Sequence, residues 1–132
     1  MREALSKDEK PGNKLKILKK YARDLGYPVV PGKNCRAFFY SKKITMNTRL
    51  CVEKQIYALA HEIGHVATVK RCVKQFGTNL FSIARSTPWY TLEAELTAWN
   101  YAEKLAKRLG FYSVNLLKYK HSCLRSYYRS NY

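Results

Sequence analysis

The sequence predicts an α+β domain, mostly helical, with a small β-sheet lying before a long helix that carries two of the chain's three histidines. Three observations support this. Apolar residues recur at helical spacing in four separate segments, and two short β-prone runs interrupt that pattern near residue 40. A chain of 132 residues can build one hydrophobic core but has no room for a second domain.

Residues 1–12, MREALSKDEKPG, are polar and are expected to form a flexible leader to a single domain over residues 13–132. In the first helix Leu15, Leu18, Ala22 and Leu25 share a face and lysines occupy the outer one, with Asn13 as its cap and Gly26 as its stop. The stretch YPVVPGKNC is rich in turn residues, and CRAFFYSKKITMN then predicts a hairpin turning at Ser41-Lys42-Lys43. Asn47 or Thr48 can cap a second helix whose apolar positions Val52, Ile56, Leu59, Ile63 and Val66 lead to about Phe76 and a stop at Gly77. Residues 77–88 read as a loop, and Thr87-Pro88 suits the start of a third helix that ends before Gly110. A fourth helix is expected from Ser113 to Arg129, with Val114, Leu117, His121 and Leu124 on one face.

Twenty-five Lys and Arg against nine Asp and Glu leave a net charge of +16, a field that favours nucleic acid, anionic lipid heads or an acidic protein. The segment KYKHSCLRSYYRSNY, which mixes cations with tyrosines, is one candidate nucleic-acid surface. No apolar run approaches the roughly 18 residues of a membrane span, so no membrane role is expected. The leader lacks the apolar core of a secretion signal. Cys35, Cys51, Cys72 and Cys123 form no CxxC pair, which fits free thiols in the reducing cytoplasm.

The second helix contains ALAHEIGH. His61 and His65, at i and i+4, project from one helical face with Cβ atoms roughly 5 to 6 Å apart, so both imidazoles can reach one metal ion. Glu62, turned by about 100° from His61, is placed to take a proton from water activated by that ion. Burying two imidazoles and a carboxylate with no metal would cost about several kcal/mol. Gly64 points the same way, because a mid-helix glycine costs about 1 kcal/mol against alanine and marks a close backbone approach.

A catalytic zinc site takes three protein ligands and keeps a fourth position open, whereas a structural one is closed by four. His121 and the glutamates of WYTLEAELTAWNYAEKLAKRLG are the candidates for the third. Leu92, Glu95, Leu96, Trp99, Ala102, Leu105 and Leu109 form one face of that helix, and Glu93, Asn100, Lys104 and Lys107 the other. Glu95 is the only charge on the buried face and is the expected third ligand, with Ala98 and Ala102 small enough for the helices to approach. Glu93 suits a charge near the helix N-terminus and is the fallback ligand.

In ALAHEIGH, in the preceding ITMN and in ELTAWNYA, the chain resembles the ImmA/IrrE family of zinc metallopeptidases over roughly residues 13–110. It departs from that pattern at Trp99, where Asn or Asp is common. The resemblance implies a zincin-like fold, one Zn²⁺ held by His61, His65 and Glu95, Glu62 as catalytic base, and a protein substrate such as a DNA-binding regulator. His121, Tyr90 or another C-terminal tyrosine could donate to the oxyanion of the transition state. The alternative is a basic nucleic-acid-binding module on the same fold.

Overall fold

The computed structural model describes residues 11–39, 41–76 and 88–131. The expected leader up to residue 10, the loop over residues 77–87 and the Gly77 stop lie outside them. Among the described residues the architecture is α+β, as expected: α1 (Pro11–Asp24), β1 (Val29–Pro31), β2 (Arg36–Phe38), β3 (Lys43–Met46), α2 (Val52–Phe76), α3 (Pro88–Leu109) and α4 (Val114–Asn131). None of these helices is long and apolar enough to cross a membrane.

α1 starts two residues earlier than Asn13, which lies inside the helix and does not cap it. Pro11 takes the first position, where a missing N–H removes no helical hydrogen bond. Gly26 stops the helix as expected: at φ 94° it lets its own N–H reach Arg23 O and the Tyr27 N–H reach Ala22 O, both at 2.9 Å.

The predicted hairpin is present. β2 and β3 pair antiparallel with Ala37 opposite Ile44, and Lys42 makes the turn in the left-handed region at φ 52°. β1 was not expected, because Pro28 and Pro31 bracket its two valines and make the stretch read as turn. It pairs parallel with β3, Val29 opposite Ile44, giving the order β1-β3-β2. Proline is tolerated there because β1 is an edge strand. Ile44 and Met46 of the central strand are buried against the helices.

α2 begins at Val52, so neither Asn47 nor Thr48 is its cap. Asn47 makes a local turn instead, its Oδ1 accepting the Arg49 N–H at 3.0 Å. Val52 is exposed at the helix start, whereas Ile56, Leu59, Ile63 and Val66 enter the core as the period predicts. They meet Leu15, Leu18 and Ala22 of α1 and Trp99, Ala102, Leu105 and Leu109 of α3 in one cluster. α3 keeps its predicted faces, with Glu93, Asn100, Lys104 and Lys107 outside. It ends at Gly110, φ 86°, whose carbonyl accepts the ammonium of the buried Lys14 at 2.9 Å.

α4 is capped by Ser113, whose Oγ accepts the Leu116 N–H at 3.2 Å. Its buried face differs from the expected one: Leu116 and Leu124 are buried, while Val114 and His121 are exposed. The inward stripe is Leu116, Tyr119, Lys120, Cys123 and Leu124, at i, i+3, i+4, i+7 and i+8. Lys120 disguises it in sequence, because its charge is matched by Glu103 of α3 and can therefore face inward. Leu116→Ala should accordingly cost about 2–5 kcal/mol in urea unfolding, and Val114→Ala no more than about 0.5 kcal/mol.

Candidate metal centre

α2 and α3 lie so close that a Cβ built on Gly64 would fall 2.3 Å from Ala98 O and 3.0 Å from Ala98 Cα. Only glycine fits against that backbone. The contact sits one residue before His65 and three residues after Glu95, so it sets how far the ligand-bearing faces stand apart.

At this spacing the Glu95 carboxylate spans both imidazoles. Oε1 lies 3.0 Å from His61 Nε2, and Oε2 lies 2.7 Å from His65 Nε2. One donor atom from each of the three residues falls within 4.8 Å of the others, so His61, His65 and Glu95 form a group able to hold a metal ion. Glu93 is exposed on the opposite face of α3, as two residues of separation dictate. His121 is exposed on α4, and the Tyr90 side chain lies outside the described residues.

Glu62 is buried beside the group and tied at both oxygens. Oε2 is 3.2 Å from His61 Nδ1, and Oε1 accepts the Ala37 N–H at 2.9 Å. The sheet register explains why that amide is available. Ala37 stands opposite Ile44, whose own N–H is engaged by Pro28 O at 3.0 Å on the other side. This makes a non-hydrogen-bonded pair, and Ala37 turns its N–H out of the ladder toward α2. A carboxylate on His61 Nδ1 orients the ring and keeps Nε2 toward the group, where it donates to Glu95 with no metal bound and would offer its lone pair to a metal ion, the usual arrangement around a metal-binding histidine.

Two further side chains shape the site and were not assigned from sequence. Trp99 is fully buried and stacks on His61, with ring centroids 4.4 Å apart and planes 10° from parallel. Its place on the apolar face was legible, but its partner on another helix was not. Tyr119 packs edge-on to Trp99 at 6.1 Å and against Tyr57 at 5.9 Å. Burial, with a smaller contribution from neighbours that include Glu62, raises its phenol pKa, so it stays protonated. Burial and the charges of Glu95 and Glu62 likewise raise the Cys123 thiol to about 11. Cys35, Cys51 and Cys123 are free thiols, as expected, and the Cys72 side chain lies outside the described residues.

Burial alone would favour neutral His61, but the hydrogen bonds its ring donates to Glu62 and Glu95, and their charges, outweigh it, raising the pKa from 6.5 to about 9. Burial disfavours a charged Glu95 too, yet hydrogen bonds and charge from His61 and His65 hold its carboxyl far below the usual carboxylate range. These are two views of one interaction. With no metal present, the His61 contribution to stability is complete below pH 6.5 and is lost as pH rises through about 9. The Glu95 contribution is present above its ordinary 4.5 and fades in acid.

Comparison with models of known protein families, with curated proteins and with solved structures finds no match to this chain.

Two expectations follow from the geometry. Urea unfolding in the presence of a chelator should show stability from this cluster greatest between about pH 4.5 and 6.5 and declining through about pH 9. Gly64→Ala gains helix propensity but forces two backbones apart, so it should destabilise the fold by about 1–3 kcal/mol and weaken metal uptake measured by calorimetry.

Proposed function

We propose that this chain is a zinc-dependent metallopeptidase with a zincin-like fold of the ImmA/IrrE type, hydrolysing peptide bonds of a protein substrate in the cytoplasm. The observation that carries the reading is the convergence of His61, His65 and Glu95 beside a second carboxylate, Glu62, that is not needed as a ligand. Two imidazole nitrogens and one carboxylate oxygen make a donor set that suits zinc. Three protein donors match the count of a hydrolytic site, whereas a structural site closes with four. The Glu95 side chain remains 21% exposed, so water reaches the group.

When bound, zinc supplies Lewis-acid polarisation of the substrate carbonyl and makes a water molecule easier to deprotonate. Glu62 is the base: it takes the proton from the attacking water and returns it to the leaving amine. The Ala37 N–H holds one carboxylate oxygen of Glu62 and so fixes its direction. Trp99 keeps the His61 ring from rotating by covering one of its faces. Tyr119, protonated at neutral pH and packed on the Trp99 ring that covers His61, is the candidate donor to the oxyanion. It replaces His121 in that role, because His121 lies on the exposed face of α4.

Glu62→Gln should retain stoichiometric zinc and lower hydrolysis by about 10²–10⁴-fold. Glu95→Ala should lose the metal in elemental analysis. Tyr119→Phe should keep the metal and KM while reducing kcat. Fresh native protein without zinc, or full hydrolysis by Glu62→Gln, would sink the assignment.

A further inference from the structure

The cations of α1 divide into two groups. Lys14 is buried and bonded to Gly110 O, whereas Lys16, Lys19, Lys20 and Arg23 are all exposed. Those four stand at i, i+3, i+4 and i+7, a single stripe about 10 Å long on the outer face of the helix. They line one groove of about 320 Å³, completed by Pro28 and Val29 at the start of β1. The only acid of α1 is Asp24, at its last residue. Of the other described acids, Glu62 and Glu95 belong to the candidate metal centre, Glu103 pairs with Lys120, and Glu53 and Glu93 stand on α2 and α3.

We propose that this stripe is a nucleic-acid interface that grips the phosphate backbone of a duplex. Duplex DNA presents one charge per about 1.7 Å of axis, dense enough for every cation of the stripe to meet a phosphate. Stable protein partners usually bury an apolar centre, and here the groove offers only Pro28 and Val29. Bilayer binding needs an apolar face beside the cations, but among the described residues the exposed large hydrophobics, Phe38, Val52, Val73, Tyr112 and Val114, are all off α1. The groove lining contains no aromatic ring, so base stacking is not its mode. In the described part of the C-terminal segment, Tyr119 packs on Trp99 and Lys120 is paired with Glu103, so neither is available to nucleic acid. The interface is independent of the metal centre.

The test compares two charge-matched variants for binding a short labelled duplex over a range of salt. One carries Lys16→Gln, Lys19→Gln, Lys20→Gln and Arg23→Gln; the other carries Lys42→Gln, Lys70→Gln, Arg71→Gln and Lys74→Gln, equally exposed but placed elsewhere. The α1 variant should lower the slope of log affinity against log salt by about 3–4, and the matched variant by less than about 1. Glu62→Gln should bind like the native protein whether or not the peptidase assignment holds. Equal losses in both variants would mean a diffuse field and overturn the interface, as would no duplex binding at low salt. So would tighter binding of a single strand, or equal competition by polyglutamate or phosphatidylserine vesicles.

Discussion

The contact between Gly64 and the Ala98 backbone sets the geometry on which the rest of the site depends. It is a contact of main chain with main chain, so no side-chain rotamer can relieve it, and a larger residue can be accommodated only by moving a helix. Glu95 lies one turn from that contact and must reach two imidazoles at once. A glycine disfavoured by helix propensity therefore sits where propensity is the smaller term, and fold and metal centre share one constraint.

Around that contact the protein gathers charge it would otherwise keep in water. Two carboxylates and two imidazoles are largely buried, and each offsets the cost of burying the next. The raised His61 pKa and lowered Glu95 pKa record the same balance from opposite sides. A cation placed among Nε2 of both histidines and the Glu95 carboxylate would take over the role that protons fill in its absence, which is why proton and metal compete for this group. The opposite arrangement holds on the outer face of α1, where Lys16, Lys19, Lys20 and Arg23 stand in solvent with no carboxylate paired to them among the described residues.

What was legible in the sequence was what helical periodicity carries. His61 and His65 declare themselves at i and i+4, Glu95 as the one charge on an apolar face, and Gly64 as a cost in need of a reason. The hairpin was legible from its two β-prone runs. What failed were features decided by partners far along the chain. β1 was hidden by its prolines, because only its place at the sheet edge makes them acceptable. The α4 stripe was hidden by Lys120, because Glu103 is 17 residues away. Stacking of Trp99 on His61, and the Ala37 amide as the partner of Glu62, are tertiary contacts with no local signature.

That last hydrogen bond divides the centre mechanically. The three residues able to hold a metal all stand on two long packed helices, whereas Glu62 is also tethered to a sheet of three strands, each only three or four residues long. Sheets so short have little stability of their own and belong to the parts of a fold that open first. If the hairpin at Lys42 frays, Glu62 loses its backbone donor while His61, His65 and Glu95 keep their places. The three residues able to hold a metal ion are thus placed as durably as the helix pair, and the aim of the carboxylate beside them only as durably as a hairpin.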